Sequence, residues 1–433
     1  MLNKSLVIAL TFCCSGMLVA QATVVPLYEP AAKTITEALT PFDAAMRDAF
    51  DRMNKKDLTG ARTLLDRALA INPKSIDAHL ARAELERLAN QPAEIEAALK
   101  RAQTIDANSP DVLAAWARWY FAKSDFKSTE DYLRRALQAK PDYARLHIDL
   151  GDLYLNALHD AVSATSAYRR AIELAPKSAG AHAGLGAALL SQSDRSGALA
   201  AFEQAAVLAP SNPLPHIALG RIHAGQQQYK DAEKSFAKAL NLQTNMPDIM
   251  LERADVLVLD QRLDEAIAAY QATAKVAPKN VAVPVKLGMA LQQAGKTPAA
   301  FGAYEQALKL APNAPLVFNN LTVLAIESKT RLKEADAWSA KAVDLAPKVA
   351  SYLDTRAWLL QATGRGKEAI AMLDAGISRM EPSAQLHYRR GLLLEESGQI
   401  TQAVDAYRQA LSVDLNFAAA KDAGSRIKKL AVK

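Results

Sequence analysis

The chain has 433 residues, of which 50% are hydrophobic and only 6% aromatic, and its formal net charge at pH 7 is +6. This apolar fraction is enough for a continuous hydrophobic core, and no alternating run of β-branched residues is long enough to predict a sheet. The basic residues are scattered except at the end of the chain, whereas nucleic-acid binding normally needs a concentrated basic patch, so we expect no nucleic-acid partner.

Residues 1–22 are predicted to be a signal peptide. Lys4 supplies a positive start, an apolar stretch follows, and Ala20 and Ala22 fit the small-x-small rule for cleavage. Cleavage at this point would start the mature chain at Thr23. We therefore expect a periplasmic or secreted protein with no transmembrane span in the mature chain.

Two alternatives for this segment involve attachment to a membrane. An uncut segment would be an anchor, but its apolar stretch of about 16 residues is shorter than the roughly 20 needed to span a bilayer. Lipidation would use Cys13 or Cys14, the two cysteines of the chain. Bacterial lipoproteins carry a small residue before the lipidated cysteine, whereas Phe12 precedes Cys13. Cleavage is the favoured interpretation, and it would leave the mature chain without cysteine.

Residues 23–41 contain three prolines and are predicted to be an extended entry segment. From residue 42 to residue 417 a 34-residue pattern then returns eleven times, with two steps of 35 residues. A fixed period of this size indicates a stack of supersecondary units, none of which can bury its apolar face alone. The repeats, numbered 1 to 11, start at residues 42, 76, 110, 144, 179, 213, 247, 281, 315, 350 and 384.

Each repeat is predicted to form a pair of helices. In a regular repeat, position 8 is small, positions 20 and 27 are alanine, position 24 is large and apolar, and position 32 is proline. Small residues let two helices approach to about 8–10 Å, and the large residue fills the neighbouring hole. Proline cannot continue a helix and therefore ends the second helix. Repeat 5 shows the five positions in order as Gly186, Ala198, Phe202, Ala205 and Pro210.

These residues, together with Leu-Gly at positions 7 and 8 of three repeats, resemble the tetratricopeptide repeat (TPR) family. The three pairs are Leu185-Gly186, Leu219-Gly220 and Leu287-Gly288. The resemblance covers nearly all of the chain after residue 41. It implies an all-α fold, a right-handed α-solenoid superhelix of about eleven helix pairs over residues 42–417. Residues 418–433 are predicted to form a C-terminal capping helix.

The repeats between residues 76 and 143 depart most from the pattern. They lack alanine at position 20, and one of them carries a run of aromatic residues, Trp116, Trp119, Tyr120 and Phe121. The favoured interpretation is that a larger side chain at one position of these repeats compensates for a changed side-chain size at another. The alternative is a specialised surface for a partner.

A search for catalytic and metal-binding patterns favours a protein that is not an enzyme. The chain has no Gly-x-Ser-x-Gly elbow, phosphate-binding loop, dinucleotide glycine pattern or His-Glu-x-x-His. Five histidines share position 4, a packing position in the family, where they are more plausibly packed between helices than bound to a metal. We predict no catalytic residue, no metal site and no cofactor. The five are His79, His147, His182, His216 and His387.

The family resemblance also implies where a partner would bind. Positions 2, 5, 9 and 12 of each repeat would face a concave groove lined by the first helices. A groove with acidic, basic and apolar residues suits an extended peptide, an amphipathic helix or a partner's loop. The candidate partner-binding residues are Asp111, Arg118, Arg145, Asp152, Asp248, Asp255, Asn319, Asp354, Trp358 and Tyr388.

The sequence therefore predicts a non-enzymatic scaffold in a bacterial cell envelope that binds proteins or peptides. The setting would be a polysaccharide-export, secretion or outer-membrane assembly machine, by analogy with exported TPR proteins. One alternative is a glycan-binding protein that stacks tyrosine and tryptophan on an exported polysaccharide. Another is an accessory to a neighbouring enzyme. The partner, the repeats that bind it and the oligomeric state stay open at this point.

Overall fold

The computed structural model describes residues 40–431. The predicted signal peptide and nearly all of the predicted entry segment lie outside the described residues, as do residues 432 and 433. Within residues 40–431 the regular secondary structure consists of twenty-three α-helices and one π-helical turn, without a β-strand. The prediction of an all-α fold is confirmed.

Two compact units divide the described residues. The N-terminal unit, residues 40–226, contains α1 to α11, and the C-terminal unit, residues 227–431, contains α12 to α23. The bounds in the N-terminal unit are α1 Pro41–Asn54, α2 Leu58–Ile71, α3 Ile76–Leu88, α4 Pro92–Ile105, α5 Pro110–Ala122, α6 Phe126–Ala139, α7 Ala144–Asp152, the π-helical turn Leu153–Ala157, α8 Ala161–Leu174, α9 Ala179–Ser191, α10 Arg195–Leu208 and α11 Pro213–Gly225. Those in the C-terminal unit are α12 Tyr229–Leu242, α13 Pro247–Leu259, α14 Leu263–Val276, α15 Ala282–Gln293, α16 Thr297–Leu310, α17 Pro315–Ser328, α18 Leu332–Leu345, α19 Ala350–Ala362, α20 Gly366–Ile377, α21 Ala384–Glu396, α22 Ile400–Val413 and α23 Ala420–Leu430.

The helices follow the predicted repeats. Ten of the eleven repeats fold as two helices that pack on each other within one unit, and successive pairs stack inside each unit. In repeat 6, α11 ends the N-terminal unit and α12 begins the C-terminal unit. The final helix, α23, packs on α22 and buries Ala423 and Leu430.

Short polar turns set the start of the second helices. Asp194 accepts a hydrogen bond from the backbone N–H of Gly197 at 2.9 Å, which satisfies one of the free N–H groups at the start of α10. This bond, with one from the Ser196 hydroxyl, lowers the pKa of Asp194. Asp57, Asp125 and Asp160 cap α2, α6 and α8 in the same way.

The close packing predicted for positions 8 and 24 is present in the structure. A Cβ atom added to Gly186 would lie 2.9 Å from the ring of Phe202, and one added to Gly288 would lie 2.6 Å from the ring of Tyr304. A Cβ atom essentially never lies within 3.0 Å of such a neighbouring carbon, so only glycine allows these two rings their positions. Both rings are buried. The small residue therefore makes the space that the large residue of the same repeat fills.

We expect Gly288→Ala to destabilise the C-terminal unit by about 1–3 kcal/mol, because Tyr304 must shift to admit the methyl group. Gly302→Ala is the matched control. Gly302 lies on the same repeat, in α16, with open space where its Cβ would be, and alanine is the better helix former by about 1 kcal/mol. Chemical unfolding followed by circular dichroism should place the two midpoints on opposite sides of the wild-type value. Equal midpoints would contradict the packing argument.

The aromatic residues of repeat 3 pack inside the fold. Trp116 and Trp119 are both buried. Trp116, Tyr120 and Tyr132 stack on one another, with ring centroids between 5.4 and 6.0 Å apart. Their neighbours include the core of repeat 2, where isoleucine replaces the alanine at position 20. This arrangement favours compensating bulk over a specialised partner surface.

The two extra residues of the array fall in turns between paired helices, as predicted. In repeat 4 the first helix ends in the π-helical turn, followed by His159 in the left-handed region at φ 54°. In repeat 9 the turn contains Lys329 and Arg331, at φ 55° and 54°. From Thr40 to Ala431, every helix is too short or too polar to cross a bilayer.

Candidate protein-binding surface

The ten candidate residues all lie on the first helices of repeats. Asp111, Arg118, Arg145 and Asp152 belong to the N-terminal unit, and the other six belong to the C-terminal unit. Most of them form hydrogen bonds or ion pairs, and Arg118, Asp255 and Asp354 form theirs with a residue of the next repeat.

Two predicted cations converge on one carboxylate in the N-terminal unit. Nη2 of Arg118 in α5 lies 2.7 Å from Oδ2 of Asp149 in α7, and Nε of Arg145 lies 3.0 Å from Oδ1 of the same side chain. Asp149 is 9% exposed. It occupies position 6, which the family rule does not assign to the groove, and the sequence analysis therefore missed it.

Asp152 lies one turn further along α7 and has different surroundings. Its Oδ1 accepts a 2.6 Å hydrogen bond from the hydroxyl of Tyr168 in α8. Burial raises the pKa of the Asp152 carboxyl to about 6, and the nearby Asp149 charge acts in the same direction. Burial also raises the pKa of Tyr168. The fourth candidate, Asp111, is exposed and accepts a hydrogen bond from the Tyr143 hydroxyl at 3.1 Å.

Repeat 7 contains the same tyrosine–aspartate arrangement. The Tyr270 hydroxyl donates to Oδ1 of Asp255 at 2.6 Å, and Lys286 in α15 forms an ion pair with Oδ2. Burial raises the pKa of Asp255 even though Lys286 and Tyr270 act in the opposite direction. The pair joins position 9 of repeat 7 to position 6 of repeat 8. Arg118 and Asp149 have the same relation in repeats 3 and 4, with the charges reversed.

Arg389 joins two further candidates. Its Nε lies 2.7 Å from Oδ1 of Asp354, and its guanidinium carbon lies 5.7 Å from the centroid of the Trp358 ring. Gln385 also donates to Asp354, at 3.2 Å. Arg389 occupies position 6 of repeat 11, and Trp358 occupies position 9 of repeat 10. This is the third contact between position 9 of one repeat and position 6 of the next.

Tyr388 packs at the end of the C-terminal unit. Its hydroxyl donates to Asp422 of α23 at 2.6 Å, and its ring centroid lies 5.8 Å from that of Tyr407 and 5.7 Å from that of Phe417. Burial raises the pKa of Tyr388 to about 12. Its hydroxyl and its ring are therefore both engaged by the protein.

The last two candidates, Asp248 and Asn319, differ from the others in their surroundings. Asp248 is exposed at the start of α13. Asn319 in α17 has a buried Oδ1 that accepts no hydrogen bond from the described residues. An unsatisfied buried oxygen is costly.

The position-4 histidines have a structural role more specific than the predicted packing. In His79, His147 and His182, Nε2 lies 3.0 Å from the carbonyl oxygen of the proline that ends the preceding repeat. A carbonyl oxygen only accepts, so Nε2 carries the proton and each ring closes the turn between repeats. No group of three or more His, Cys, Asp or Glu side chains between Thr40 and Ala431 is arranged to hold a metal.

Paired helices in tandem, with close-packed small and large residues and a first-helix face that carries ionic side chains, define the class of helical-repeat solenoids. Sequence comparison identifies the family within that class. Residues 157–213, 217–281 and 384–417 match models described as tetratricopeptide repeat. The chain is a tetratricopeptide-repeat protein. Such repeats generally form non-catalytic scaffolds that bind proteins or peptides.

Solved structures with similar folds have low sequence identity to this chain. A tetratricopeptide repeat protein from Parabacteroides merdae is 18% identical with a TM-score of 0.47, over 59% of this chain and 100% of its own. Yeast Tom70 is 14% identical with a TM-score of 0.44, over 90% of this chain and 95% of its own. YrrB, described as a TPR protein with an unusual peptide-binding site, is 23% identical with a TM-score of 0.38, over 44% of this chain and 97% of its own. No curated protein matches the chain in sequence.

Proposed function

We propose that this protein is a non-enzymatic scaffold of the bacterial cell envelope that binds protein or peptide partners on the first helices of its repeats. The setting would be a polysaccharide-export, secretion or outer-membrane assembly machine. The observation that carries the binding role is the tetratricopeptide array, whose first helices present both charged and apolar side chains. The envelope location rests on the signal peptide predicted for residues 1–22.

The binding surface can be tested with a photo-cross-linking amino acid. Asp111 and Asp248 are exposed positions on first helices, one in each unit, and Arg101 and Lys238 are exposed controls on second helices. Each variant would be irradiated in the native host and purified from periplasmic and membrane fractions. We expect specific envelope proteins to be captured from Asp111 and Asp248 but not from the controls. Equal capture from both sets, or capture from neither, would contradict the proposal.

The proposed location has a separate test. Mass spectrometry of the purified protein should find a mature chain that starts at Thr23 and is recovered from the periplasm. An intact start at Met1 with recovery from the membrane would support the anchor instead.

Glycan binding is the less favoured function, because the aromatic residues it would use are engaged. Arg389 covers Trp358, and Tyr388 packs on Tyr407 and Phe417. A glycan binder would lose affinity for soluble polysaccharide when Trp358 is replaced by alanine. A protein-binding scaffold would show no polysaccharide binding to lose.

A further inference from the structure

The junction between repeats 4 and 5 places a carboxylate at position 9 but lacks the side-chain contact that three other junctions make there. Arg118 is met by Asp149, Asp255 by Lys286, and Trp358 by Arg389, each from position 6 of the following repeat. Between repeats 4 and 5 the corresponding residues are Asp152 and Gly184. Gly184 has no side chain to offer Asp152, and the edge of the Tyr168 ring fills the space where its Cβ would be.

Position 2 of repeat 5 also lacks a side chain that could reach Asp152. In repeat 4 the position-2 residue, Arg145, adds a second cation to Asp149. In repeat 5 position 2 is Gly180, which is exposed and has no atom within 4 Å of where its Cβ would lie. Position 5 is Ala183, so the face of α9 next to Asp152 has no side chain longer than a methyl group.

Asp152 makes no ion pair with any residue from 40 to 431. Its one hydrogen bond comes from Tyr168. The charges of Arg145 and Arg118 favour the ionised form of Asp152, but both arginines contact Asp149, whose own charge opposes ionisation of Asp152. A largely buried carboxylate with one neutral donor still has acceptor capacity for a cation.

We propose that Asp152 and the glycine-lined face of α9 bind a lysine or arginine side chain from an extended segment of the partner protein. This inference rests on the proposed scaffold function and names the chemistry of its partner. The cationic head would complete the ion pair that the protein supplies itself at the junction of repeats 7 and 8. The alkyl stem would lie along α9, where glycine and alanine leave space.

A cation fits this position better than the other side chains a partner could offer. An acidic side chain would be repelled by Asp152 and Asp149. An apolar side chain would cover Asp152 without pairing it, and burial of an unpaired charge is costly. A lysine or arginine removes that cost and forms a charge-assisted hydrogen bond, which is among the strongest in proteins.

The test uses a nonapeptide library whose central residue is lysine, arginine, norleucine or glutamate and whose other residues are randomised. The protein, purified as its host processes it, is immobilised and the retained peptides are sequenced and titrated. We expect the lysine and arginine peptides to bind at least about tenfold more tightly than the norleucine peptides. Asp152→Asn should abolish this preference, since asparagine keeps an acceptor for Tyr168 but loses the charge.

Two further variants make the outcome specific. Gly180→Trp fills the space over α9 at an exposed helix position and should weaken binding of lysine and arginine peptides. Asp131→Asn removes an exposed acid from α6, a second helix of the same unit, and should leave the preference unchanged. Peptide binding without a preference for lysine or arginine, or a preference that survives Asp152→Asn, would overturn this inference and leave the scaffold function standing. If Gly180→Trp binds lysine and arginine peptides as tightly as the wild type does, the proposed contact between the peptide side chain and α9 is wrong. Retention of no peptide at all would count against both this inference and peptide binding as the function.

Discussion

Replacing Asp149 by alanine is expected to lower the unfolding free energy of the N-terminal unit by about 3 kcal/mol. Asp149 is buried, and it receives Arg118 from the preceding repeat and Arg145 from its own. Its removal leaves two partly buried guanidinium groups without the carboxylate they contact, and loss of one member of a buried ion pair is costly because the other charge stays desolvated.

Urea unfolding would measure the loss, and hydrogen exchange would locate it. Exchange should accelerate in α5 and α7, the two helices that Asp149 joins, before it accelerates elsewhere in the unit. Asp248→Ala, an exposed acid on another first helix, is the control and should shift stability by less than about 1 kcal/mol. In a double-mutant cycle, Arg118→Ala and Asp149→Ala should be clearly non-additive. An Asp149→Ala protein as stable as the control would rule out a stabilising role for the junction.

Replacing Asp152 by asparagine is expected to have the opposite effect at neutral pH. Burial raises the pKa of this carboxyl from 3.8 to about 6, so the folded protein holds its proton more tightly than the unfolded chain. The stability that this group contributes is therefore fully present below about pH 4 and is lost as the pH rises through about 6. The difference between the two pKa values corresponds to at most about 3 kcal/mol.

The prediction is a difference between two stability curves measured across pH. Wild type and Asp152→Asn should have similar stabilities near pH 4, and the variant should be more stable by up to about 3 kcal/mol at pH 8. Carboxyl groups that do not interact with Asp152 titrate in both proteins and cancel in the difference. A variant that is less stable than wild type at pH 8 would show that the charge of Asp152 is favourable in the folded protein. Taken with the proposed lysine or arginine site, the expected result makes Asp152 a residue that lowers stability and serves binding.

The helical architecture was predictable because its determinants are local and repeated. Spacing of small, large and proline residues predicted the pairs, and the glycine contacts of Tyr304 and Phe202 show the physical reason for that spacing. The predicted signal peptide and entry segment have no such test in the described residues.

The contacts on the first helices were only partly predictable. A rule for single positions selected Arg118, Asp255 and Trp358 but missed the position-6 residues that meet them. Each of these contacts joins residues 31 positions apart in sequence, on different repeats. Their formation depends on side-chain length and on the spacing of two helices, which a repeat pattern does not specify. Asn319 was selected by the same rule, and no feature of its sequence neighbourhood indicated that its oxygen would be buried.

The ion pairs between repeats do not all have the same order of charges. Position 9 carries the cation in the Arg118–Asp149 pair and the anion in the Asp255–Lys286 pair. The hydrogen bonds donated by tyrosine hydroxyls, such as that from Tyr168 to Asp152, join two residues of the same repeat. They would be kept if that repeat were transplanted to another place in the array. The contacts between position 9 of one repeat and position 6 of the next would be broken by such a transplant. If repeat 4 were transplanted to follow repeat 7, Asp149 would meet Asp255 instead of Arg118, and two buried carboxylates would face each other. Although the repeats share one pattern of paired helices, these charges fix the order in which the repeats can follow one another.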